Sequence, residues 1–379
     1  MVKIIIGGDI CPTKRDEDTF LDGDASQLFS DILPNIQSAD LAIANLETCL
    51  INSPSPIKKS GAIFGNSPNI LNAIKSSGVN FLNLANNHIL DHGEKGLKST
   101  VEAIKNHDFN YVGAGNSIDE ASKPFTIEIK GKTISVLSYT EHEFSIANNG
   151  KPGANPVDVI DFVTRIQDLK KSSDFLLLLY HGGKENYNLP SPEQQKLCRF
   201  FIDQGVNMLV CQHSHTAGVY ESYNSGNIYY GQGNFIFDPY PLKRDWLYKG
   251  FLIELIINDD NSTNIQLIPY VHNSFYRDEI GIRKMNTEES EIFMDNISEA
   301  SKKMTENPKY VNDEWVKLSK SLENTYLSVL NGNGRIMRKL NEIFPWLKLI
   351  YKNKRKLVLK NILTCETHHE IIKTILKER

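Results

Sequence analysis

The sequence predicts an α/β layered fold that is followed by a helical extension. Over about the first 275 of the 379 residues, short apolar segments alternate with helical ones, and this alternation is typical of α/β architectures. From about Thr287 the chain becomes helical, charged and poor in glycine. A chain of this length is sufficient for one large α/β domain and an appendage.

Apolar runs, capping residues and glycines define the predicted elements. Ser67-Pro68 and Ser191-Pro192 each supply an N-cap and a first-turn proline, and Gly78 and Gly205 stand where helix C-caps belong. Lys130-Gly131-Lys132 joins two β-rich runs as a hairpin turn does, so we expect a mixed sheet. The predicted strands are Lys3–Gly7, Leu41–Leu46, Asn80–Leu84, Tyr111–Gly113, Phe125–Ile129, Thr133–Tyr139, Phe175–Tyr180, Met208–Cys211, Ile228–Gly231 and Gly250–Ile257. The predicted helices are Ala25–Ser38, Ser67–Ser77, Gly93–His107, Val157–Lys171 and Pro192–Gln204.

The C-terminal part differs from the rest of the chain in charge. We divide the sequence into a domain at 1–275 and a helical, basic extension at 276–379. Residues 335–379 carry a net charge of +8, although the whole chain carries -4. Here the apolar stretch 345–351 precedes the basic run 352–356. Two interpretations remain open: a helical cap with a solvated basic face, or a segment that docks on anionic lipid or on a membrane-bound synthesis complex.

Composition narrows the class of protein. The net charge of -4 argues against a general nucleic-acid binder. Five widely spaced cysteines without a CxxC pair are more typical of free thiols in a reducing compartment than of a disulfide framework. The start of the sequence resembles a first strand rather than a signal peptide, and no apolar stretch is long enough for a membrane span. The sequence therefore predicts a cytoplasmic protein.

Histidine, carboxylate and carboxamide side chains recur at the ends of five predicted strands. The carboxyl ends of strands in open α/β sheets are where ligands bind, so residues that are distant in sequence can meet there. His213 and His215, two residues apart, would point to the same side of an extended backbone. The strand-end residues are Asp9, Asn45, Glu47, Asn87, His88, His181, His213 and His215.

This residue set has a chemical meaning. Imidazoles with carboxylates and carboxamides suit Zn, Fe, Mn or Ni better than Ca. A carboxylate such as Glu47 or Asp9 can bridge two ions, as in two-metal hydrolases, where hydroxide becomes available near neutral pH and a tetrahedral anionic transition state is stabilised. The sequence therefore predicts a metal site.

Each residue alone has a simpler interpretation. Asp9 is compatible with a helix or turn cap, the pair His213 and His215 with a turn, and His181 with a hydrogen-bonded edge histidine. Asn86-Asn87 alone is typical of a left-handed turn. Cys11 either lines the site or packs as a small apolar group. Other histidines lack the strand-end placement and are interpreted as surface or local structural residues: His92, His107, His142, His272, His368 and His369.

Seven short segments, taken in their order along the chain, resemble the CapA proteins of capsule and poly-gamma-glutamate biosynthesis (the PGA_cap family), a branch of the calcineurin-like metallophosphoesterases. The resemblance covers about residues 1–270. The segments are GGD (7–9), ANLET (44–48), LANNHILDHGEKGL (84–97), VGAG (112–115), YHGGKEN (180–186), QHSH (212–215) and GQGNFIFD (231–238).

The resemblance implies a four-layer α/β/β/α sandwich with two divalent transition-metal ions (Mn, Fe or Zn) between the sheets. By position, Asp9 and His215 resemble ligands of one ion, Glu47 the bridge, and Asn87, His181 and His213 ligands of the other. His88 resembles the outer-sphere acid, which Asp91 would orient. Asn45, Glu185 and Asn234 resemble groups that line the substrate site.

The resemblance also has departures. Cys11 stands where the phosphoesterase pattern has a histidine, and Gly182 stands where many CapA relatives have a tryptophan. Gln212 and Ser214 replace a glycine and a proline, and the N-terminal membrane anchor that CapA proteins usually have is not expected here.

Two functions are compatible with these features. One is a hydrolase that cleaves a phosphoester, or an amide or ester of an anionic polymer, through a metal-bound hydroxide. The alternative is a non-catalytic accessory protein that binds an anionic polymer or its synthesis complex, peripherally at the membrane.

Overall fold

A computed structural model of the chain describes residues 1–148, 150–242, 244–330 and 354–377. Its strands are β1 Val2–Ile10, β2 Leu41–Leu46, β3 Cys49–Leu50, β4 Gly65–Asn66, β5 Phe81–Asn83, β6 Asn110–Val112, β7 Ala114–Gly115, β8 Phe125–Ile129, β9 Lys132–Thr140, β10 Gly153–Ala154, β11 Phe175–His181, β12 Met208–Gln212, β13 Tyr220–Tyr223, β14 Gly226–Tyr229, β15 Asn234–Ile236, β16 Lys249–Ile257, β17 Thr263–His272 and β18 Ile282–Lys284. Its helices are α1 Glu17–Leu21, α2 Ser26–Phe29, α3 Leu33–Gln37, α4 Ile70–Ser76, α5 Gly93–Asn106, α6 Ile118–Ala121, α7 Val159–Leu169, α8 Pro192–Gln204, α9 Thr287–Glu306, α10 Tyr310–Leu330, α11 Lys354–Thr364 and α12 Glu366–Lys377.

The first sheet has eight strands and is mixed, as predicted. Its order is β18-β17-β16-β1-β2-β5-β6, and β15 pairs with the end of β1. The strands β1, β2, β5 and β6 run parallel, whereas β16, β17 and β18 pair antiparallel. Strand β17 was not predicted from the sequence, and it contains Pro269, a residue that usually argues against a central strand.

The second sheet has six strands in the order β13-β14-β12-β11-β9-β8. Strands β9, β11, β12 and β14 are parallel, and the edge strands β8 and β13 are antiparallel to their neighbours. The predicted hairpin at Lys130-Gly131 is confirmed between β8 and β9, and both of its residues have the positive φ that a tight hairpin turn requires.

Apolar side chains on both faces of each sheet produce four layers. Ile4 and Leu177 lie in the core between the sheets. Their neighbours point the opposite way, Ile5 toward the helices α1 to α5 and Leu178 toward α7 and α8. Each such fully buried side chain contributes about 1.5–3 kcal/mol of transfer free energy. The helix, sheet, sheet, helix order confirms the predicted α/β/β/α sandwich.

One predicted helix is broken. The segment Ala25–Ser38 was expected to be continuous, but it forms α2, a 3-10 turn at Ser30–Ile32 and α3. Ser30 has a φ of 43°, which a continuous α-helix does not permit, and Pro34 has no N–H to donate to the preceding turn. The other predicted helices are present with boundaries within about three residues, and Ser191 caps α8 by accepting from the N–H of Gln194.

The C-terminal residues add to the sandwich. Strand β18 extends the first sheet past the predicted domain boundary at residue 275, and Met304 of α9 packs against the second sheet. Helices α10, α11 and α12 form a further apolar cluster around Trp315. The apolar stretch 345–351 and the first two residues of the basic run 352–356 lie outside the described residues. Within the described ranges, no helix is long and apolar enough to cross a membrane.

Candidate metal centre

The carboxyl ends of strands from both sheets meet at one place in the fold. Strands β1, β2 and β5 are parallel neighbours in the first sheet, and β11 and β12 are parallel neighbours in the second. Because each strand ends at the same edge, the polar residues that follow it come together. The structure brings together all six predicted metal ligands: Asp9, Glu47, Asn87, His181, His213 and His215.

Glu47 lies at the centre of this cluster. Its Oε1 is 3.4 Å from His181 Nε2 and 3.9 Å from His215 Nε2. The side chain is fully buried, and neither carboxylate oxygen has a hydrogen-bond partner in the part of the chain that the structure describes. A buried carboxylate without partners is costly unless a cation compensates its charge. Glu47 is therefore suited to hold a metal ion.

Asp9 and Asn87 extend the cluster on either side. Asp9 Oδ2 is 3.6 Å from His215 Nδ1 and accepts the backbone N–H of His213 at 3.2 Å. Asn87 Oδ1 lies 3.1 Å from His181 Nε2. Two overlapping groups of donor atoms result, and within each group the atoms lie within 4.8 Å of one another. The groups are Asp9, Glu47 and His215, and Glu47, His181 and His213.

The backbone that carries His213 and His215 differs from the prediction. Both residues were expected on extended backbone, but their φ angles are 90° and 56°, in the left-handed region. The two imidazoles still reach one site, because the chain turns sharply after β12 and the N–H of His213 is held by Asp9. The two histidines share one site as predicted, but the extended backbone predicted for them is wrong. Non-glycine residues with positive φ are often found at functional sites.

Burial controls the protonation of the cluster. Burial, reinforced by nearby Asp9, raises the pKa of Glu47 well above its usual range. Burial lowers the pKa of His181 to about 4, and that of His213 also lies well below its usual value. For His215, burial is outweighed by Glu47 and Asp9, and its pKa is raised. His181 and His213 are thus neutral, which is the form that binds a metal ion, whereas the raised pKa values of Glu47 and His215 mean that an ion binding there would displace protons from them.

His88 is held beside the cluster by a buried chain of polar contacts. Its Nδ1 is 2.6 Å from Asp91 Oδ2, and its Nε2 is 3.9 Å from Glu47 Oε1. Asp91 Oδ1 accepts from Lys59 Nζ at 2.6 Å, and Oδ2 accepts the backbone N–H of Phe64 at 2.7 Å. Because Asp91 is acceptor-only when ionised, it fixes the imidazole proton on Nδ1 and leaves Nε2 toward the cluster.

The pKa values of this pair differ from those of free side chains. Burial lowers the pKa of His88 to about 4. Burial alone would raise the pKa of Asp91, but its hydrogen bonds to His88 and Lys59 outweigh burial and lower it. His88 is therefore neutral and Asp91 ionised near pH 7, before any ligand arrives. Lys59 was missed by the sequence analysis, because nothing in its loop marks it as a partner of Asp91.

A cavity of about 380 Å³ opens onto the cluster. One wall comes from the loop that contains Lys59 and Phe64, and the opposite wall comes from the C-terminal helices. His368, which was interpreted as a surface or local structural residue, also lines this cavity. The lining residues that the sequence analysis did not identify include Lys59, Phe64, Glu143, Phe237, Asn361, Cys365, Thr367 and His368.

The three residues predicted to line the substrate site have different environments. Glu185 lines the cavity, and its carboxylate lies within 4.8 Å of donor atoms of His213 and His215. Asn45 is fully buried and donates to Asp9 Oδ1 at 2.8 Å. Asn234 Oδ1 lies 2.9 Å from His215 Nδ1. Asn45 and Asn234 therefore contact the clustered residues directly.

Cys11 is buried close to Glu47. Burial, followed by the charge of Glu47, raises the pKa of the Cys11 thiol well above its usual value. Its backbone N–H donates to the carbonyl of Ile236. Cys11 is not a member of either donor group around Glu47.

Two curated relatives match part of the chain. It is 31% identical over 205 residues to the capsule biosynthesis protein CapA of Bacillus anthracis, and the match covers 52% of this chain and 49% of that protein. It is 34% identical over 168 residues to the PGA biosynthesis protein CapA of Bacillus subtilis (strain 168), with 44% of each chain covered. The chain thus spans about half the length of the curated relatives it matches.

The chain is also similar to a solved structure, that of a phosphatase from Mycoplasma pneumoniae, with a TM-score of 0.44 and 15% identity. This match covers 72% of this chain and 95% of that one. The model of the family described as bacterial capsule synthesis protein PGA_cap matches residues 3–239, which is more than half of the chain and includes all six clustered residues. This chain belongs to the PGA_cap family of bacterial capsule synthesis proteins.

Proposed function

We propose that the chain acts in capsule or poly-gamma-glutamate biosynthesis as a metal-dependent hydrolase of phosphoester bonds or of amide or ester bonds. One observation supports this above the others: Glu47, buried and without hydrogen-bond partners among the described residues, lies between two groups of donor atoms. A structural role does not need such an arrangement. A cation site does, because a bound cation stabilises the ionised carboxylate, which burial otherwise drives to take up a proton.

The residues present fit two divalent ions. Asp9 and His215 would hold one, Asn87, His181 and His213 the other, and Glu47 would be shared, since it belongs to both donor groups. Ions bound there would supply Lewis-acid stabilisation of an anionic oxygen and a coordinated water of lowered pKa. We propose that Asn45 and Asn234 orient ligands, because their amides contact Asp9 and His215.

His88 would move the proton. Its Nδ1 proton is held by Asp91, so Nε2 is the atom that faces a substrate. Nε2 is unprotonated in the free protein because burial lowers the pKa of His88. An anionic substrate group close to Nε2 would favour the imidazolium and raise that pKa. His88 would then donate the proton to a leaving oxygen or nitrogen as the anion binds.

The cavity limits the substrate to an anionic group of modest size. At about 380 Å³ it is near the lower end of small-ligand sites, and it therefore suits a chain end or a small ester better than the middle of a polymer. The positive charge would come from bound ions and from Lys184, which lines the wall. Glu185, on the same wall, would then select for hydroxyl or ammonium groups on the substrate.

Metal content and turnover test this proposal together. We expect the full chain, purified without chelator, to hold about two transition-metal ions that depend on Glu47 and to hydrolyse a generic phosphodiester with Mn or Zn. Glu47→Gln should lose both properties, whereas Glu128→Gln, on the exposed side of β8, should keep both. Wild-type protein that holds no transition metal would overturn the proposal. Protein that holds metal but lacks turnover on phosphodiesters, esters and amides would favour an accessory role in polymer binding.

We also propose that the basic run 352–356 docks the protein on a membrane-associated synthesis complex. The support is its sequence alone, five residues of which four are basic. Anionic lipid attracts such clusters by about 1 kcal/mol for each basic residue.

A further inference from the structure

A second group of metal-binding side chains lies at the seam between the family domain and the C-terminal helices. Glu143 follows β9, Cys365 lies between α11 and α12, and His368 is in the first turn of α12. One donor atom of each lies within 4.8 Å of the others. We propose that Glu143, Cys365 and His368 form a separate site for one zinc ion. This site shares no residue with the two donor groups around Glu47.

The helix places two of the ligands together. Cys365 and His368 are three residues apart, so their side chains lie on the same face of the helical turn. The Cys365 backbone N–H donates to the carbonyl of Asn361, which continues the helical hydrogen bonding of α11 through the junction. Glu143 approaches from the other side, and its Oε2 is 3.4 Å from Asn87 Nδ2. The site therefore bridges two parts of the chain that are more than 200 residues apart.

Outer contacts already orient the proposed ligands. His368 Nδ1 is 2.6 Å from the hydroxyl of Tyr326, which leaves Nε2 as the metal-binding atom. Metal-binding histidines commonly use their second nitrogen in this way. Cys365 Sγ donates to Glu141 Oε2 at 2.8 Å. Glu141 is buried and its Oε1 accepts from the backbone N–H of Gly183 at 2.7 Å, so it is held in place behind the sulfur.

An unsatisfied oxygen lies beside the group. The Asn361 side-chain oxygen lacks a hydrogen-bond partner among the described residues although it is buried, and Asn361 lines the same cavity. A buried amide oxygen without a partner is destabilising, because it has lost its hydrogen bond to water. An ion at this site, or a water bound to it, would supply the missing partner.

The chemistry of the donors selects zinc. One thiolate, one imidazole and one carboxylate form a borderline-soft set, and three protein ligands leave a fourth position that faces the cavity. Around a tetrahedral zinc ion, bonds of about 2.0–2.3 Å hold donor atoms about 3.3–3.8 Å apart. The ligands would therefore move together by about 1 Å as the ion binds. The Cys365 thiol would lose its proton to solvent and form a sulfur–zinc bond.

Cobalt substitution tests the site without relying on activity. The six clustered residues around Glu47 contain no sulfur, so cobalt bound there gives no thiolate charge-transfer band. We expect Co²⁺ added to the metal-free full chain to produce such a band in the near ultraviolet. Cys365→Ser should abolish the band. Cys11→Ser should keep it, although Cys11 lies close to Glu47. A wild-type protein without the band, or a band lost only in Cys11→Ser, would overturn the proposal.

Because Cys365 is buried, the Cys365→Ser variant could lose the band by misfolding. A second pair of variants distinguishes this outcome from loss of the metal site. His368→Ala should shift or abolish the cobalt band and lower the zinc content by one ion per chain. His369→Ala changes the adjacent, exposed histidine of the same helix and should alter neither. Identical bands in both variants would remove His368 from the site. A loss of metal at Glu47 leaves the cobalt–thiolate band in place, so the failure of one proposal is distinguishable from the failure of the other.

Discussion

Lys59→Met tests the buried ion pair that supports His88. Lys59 Nζ lies 2.6 Å from Asp91 Oδ1 and 3.0 Å from the carbonyl oxygen of Asn87. The two side chains of the pair are 2% and 0% exposed. Methionine retains most of the length of lysine and removes the charge, so the change isolates the ion pair from packing.

The expected loss follows from the partners that Asp91 keeps. Removal of one partner from a buried ion pair costs about 3–5 kcal/mol. Asp91 still accepts from His88 and from the backbone N–H of Phe64 after the change, so the loss should fall at the lower end of that range. We expect the free energy of unfolding to drop by about 3 kcal/mol, which raises the unfolded fraction by about 150-fold.

Urea unfolding of the metal-free protein at pH 7 measures this loss. Lys58→Met is the matched control, because Lys58 is the exposed neighbour and should change stability by less than about 0.5 kcal/mol. The double variant Lys59→Met with Asp91→Asn should lose less than the two single losses together, because a neutral asparagine needs no cation. If Lys59→Met resembles Lys58→Met, or if the losses add, the ion pair does not support the site.

Three further predictions concern protonation, turnover and docking. In metal-free protein, burial raises the pKa of Glu47, so the folded state binds the carboxyl proton more tightly than the unfolded state does. The stabilisation that this proton provides is lost as the pH rises above the usual carboxyl range. The stability of Glu47→Gln relative to wild type should therefore increase between pH 4 and pH 7, and a constant difference in urea midpoint contradicts this. His88→Gln should lower turnover by about 10²–10⁴-fold at unchanged metal content, whereas His107→Gln, at the end of α5, should not; equal turnover removes His88 from the mechanism. Lys352→Gln with Lys356→Gln should weaken binding to vesicles of anionic lipid by about fivefold for each charge removed, and unchanged cosedimentation contradicts docking through this run.

Sequence reasoning located the candidate metal centre because its signals are local. An apolar strand that is followed directly by a polar residue can be recognised within a few residues of sequence. Five such strand ends predict one ligand-binding edge of an α/β fold. The α/β class follows from the alternation of strands and helices, whereas the paired sheets and their four layers were implied by the family resemblance. Asp9 and Glu47 could be assigned to one site before their distance was known, since parallel strands of one sheet deliver their ends to one edge, whereas His181 joins them from the second sheet.

The parts that sequence reasoning missed depend on contacts between distant segments. Lys59 is in a loop without periodicity, and its role arises only because Asp91 lies beside it in the fold. Cys365 and His368 are more than 200 residues from Glu143, and no spacing rule connects them. The turn at His213 was also missed, because a left-handed backbone at a non-glycine residue has a tertiary cause, in this case the contact with Asp9.

The wall that α11 and α12 contribute to the cavity has a consequence for relatives of this protein. The family match ends at residue 239, and Asn361, Cys365, Thr367 and His368 lie beyond it. One wall of the cavity thus belongs to shared ancestry and the other to a segment that can diverge on its own. Two members with the same metal-binding residues can therefore accept different molecules. A substrate assignment taken over from one relative to another leaves out the part of the cavity lining that the C-terminal helices contribute.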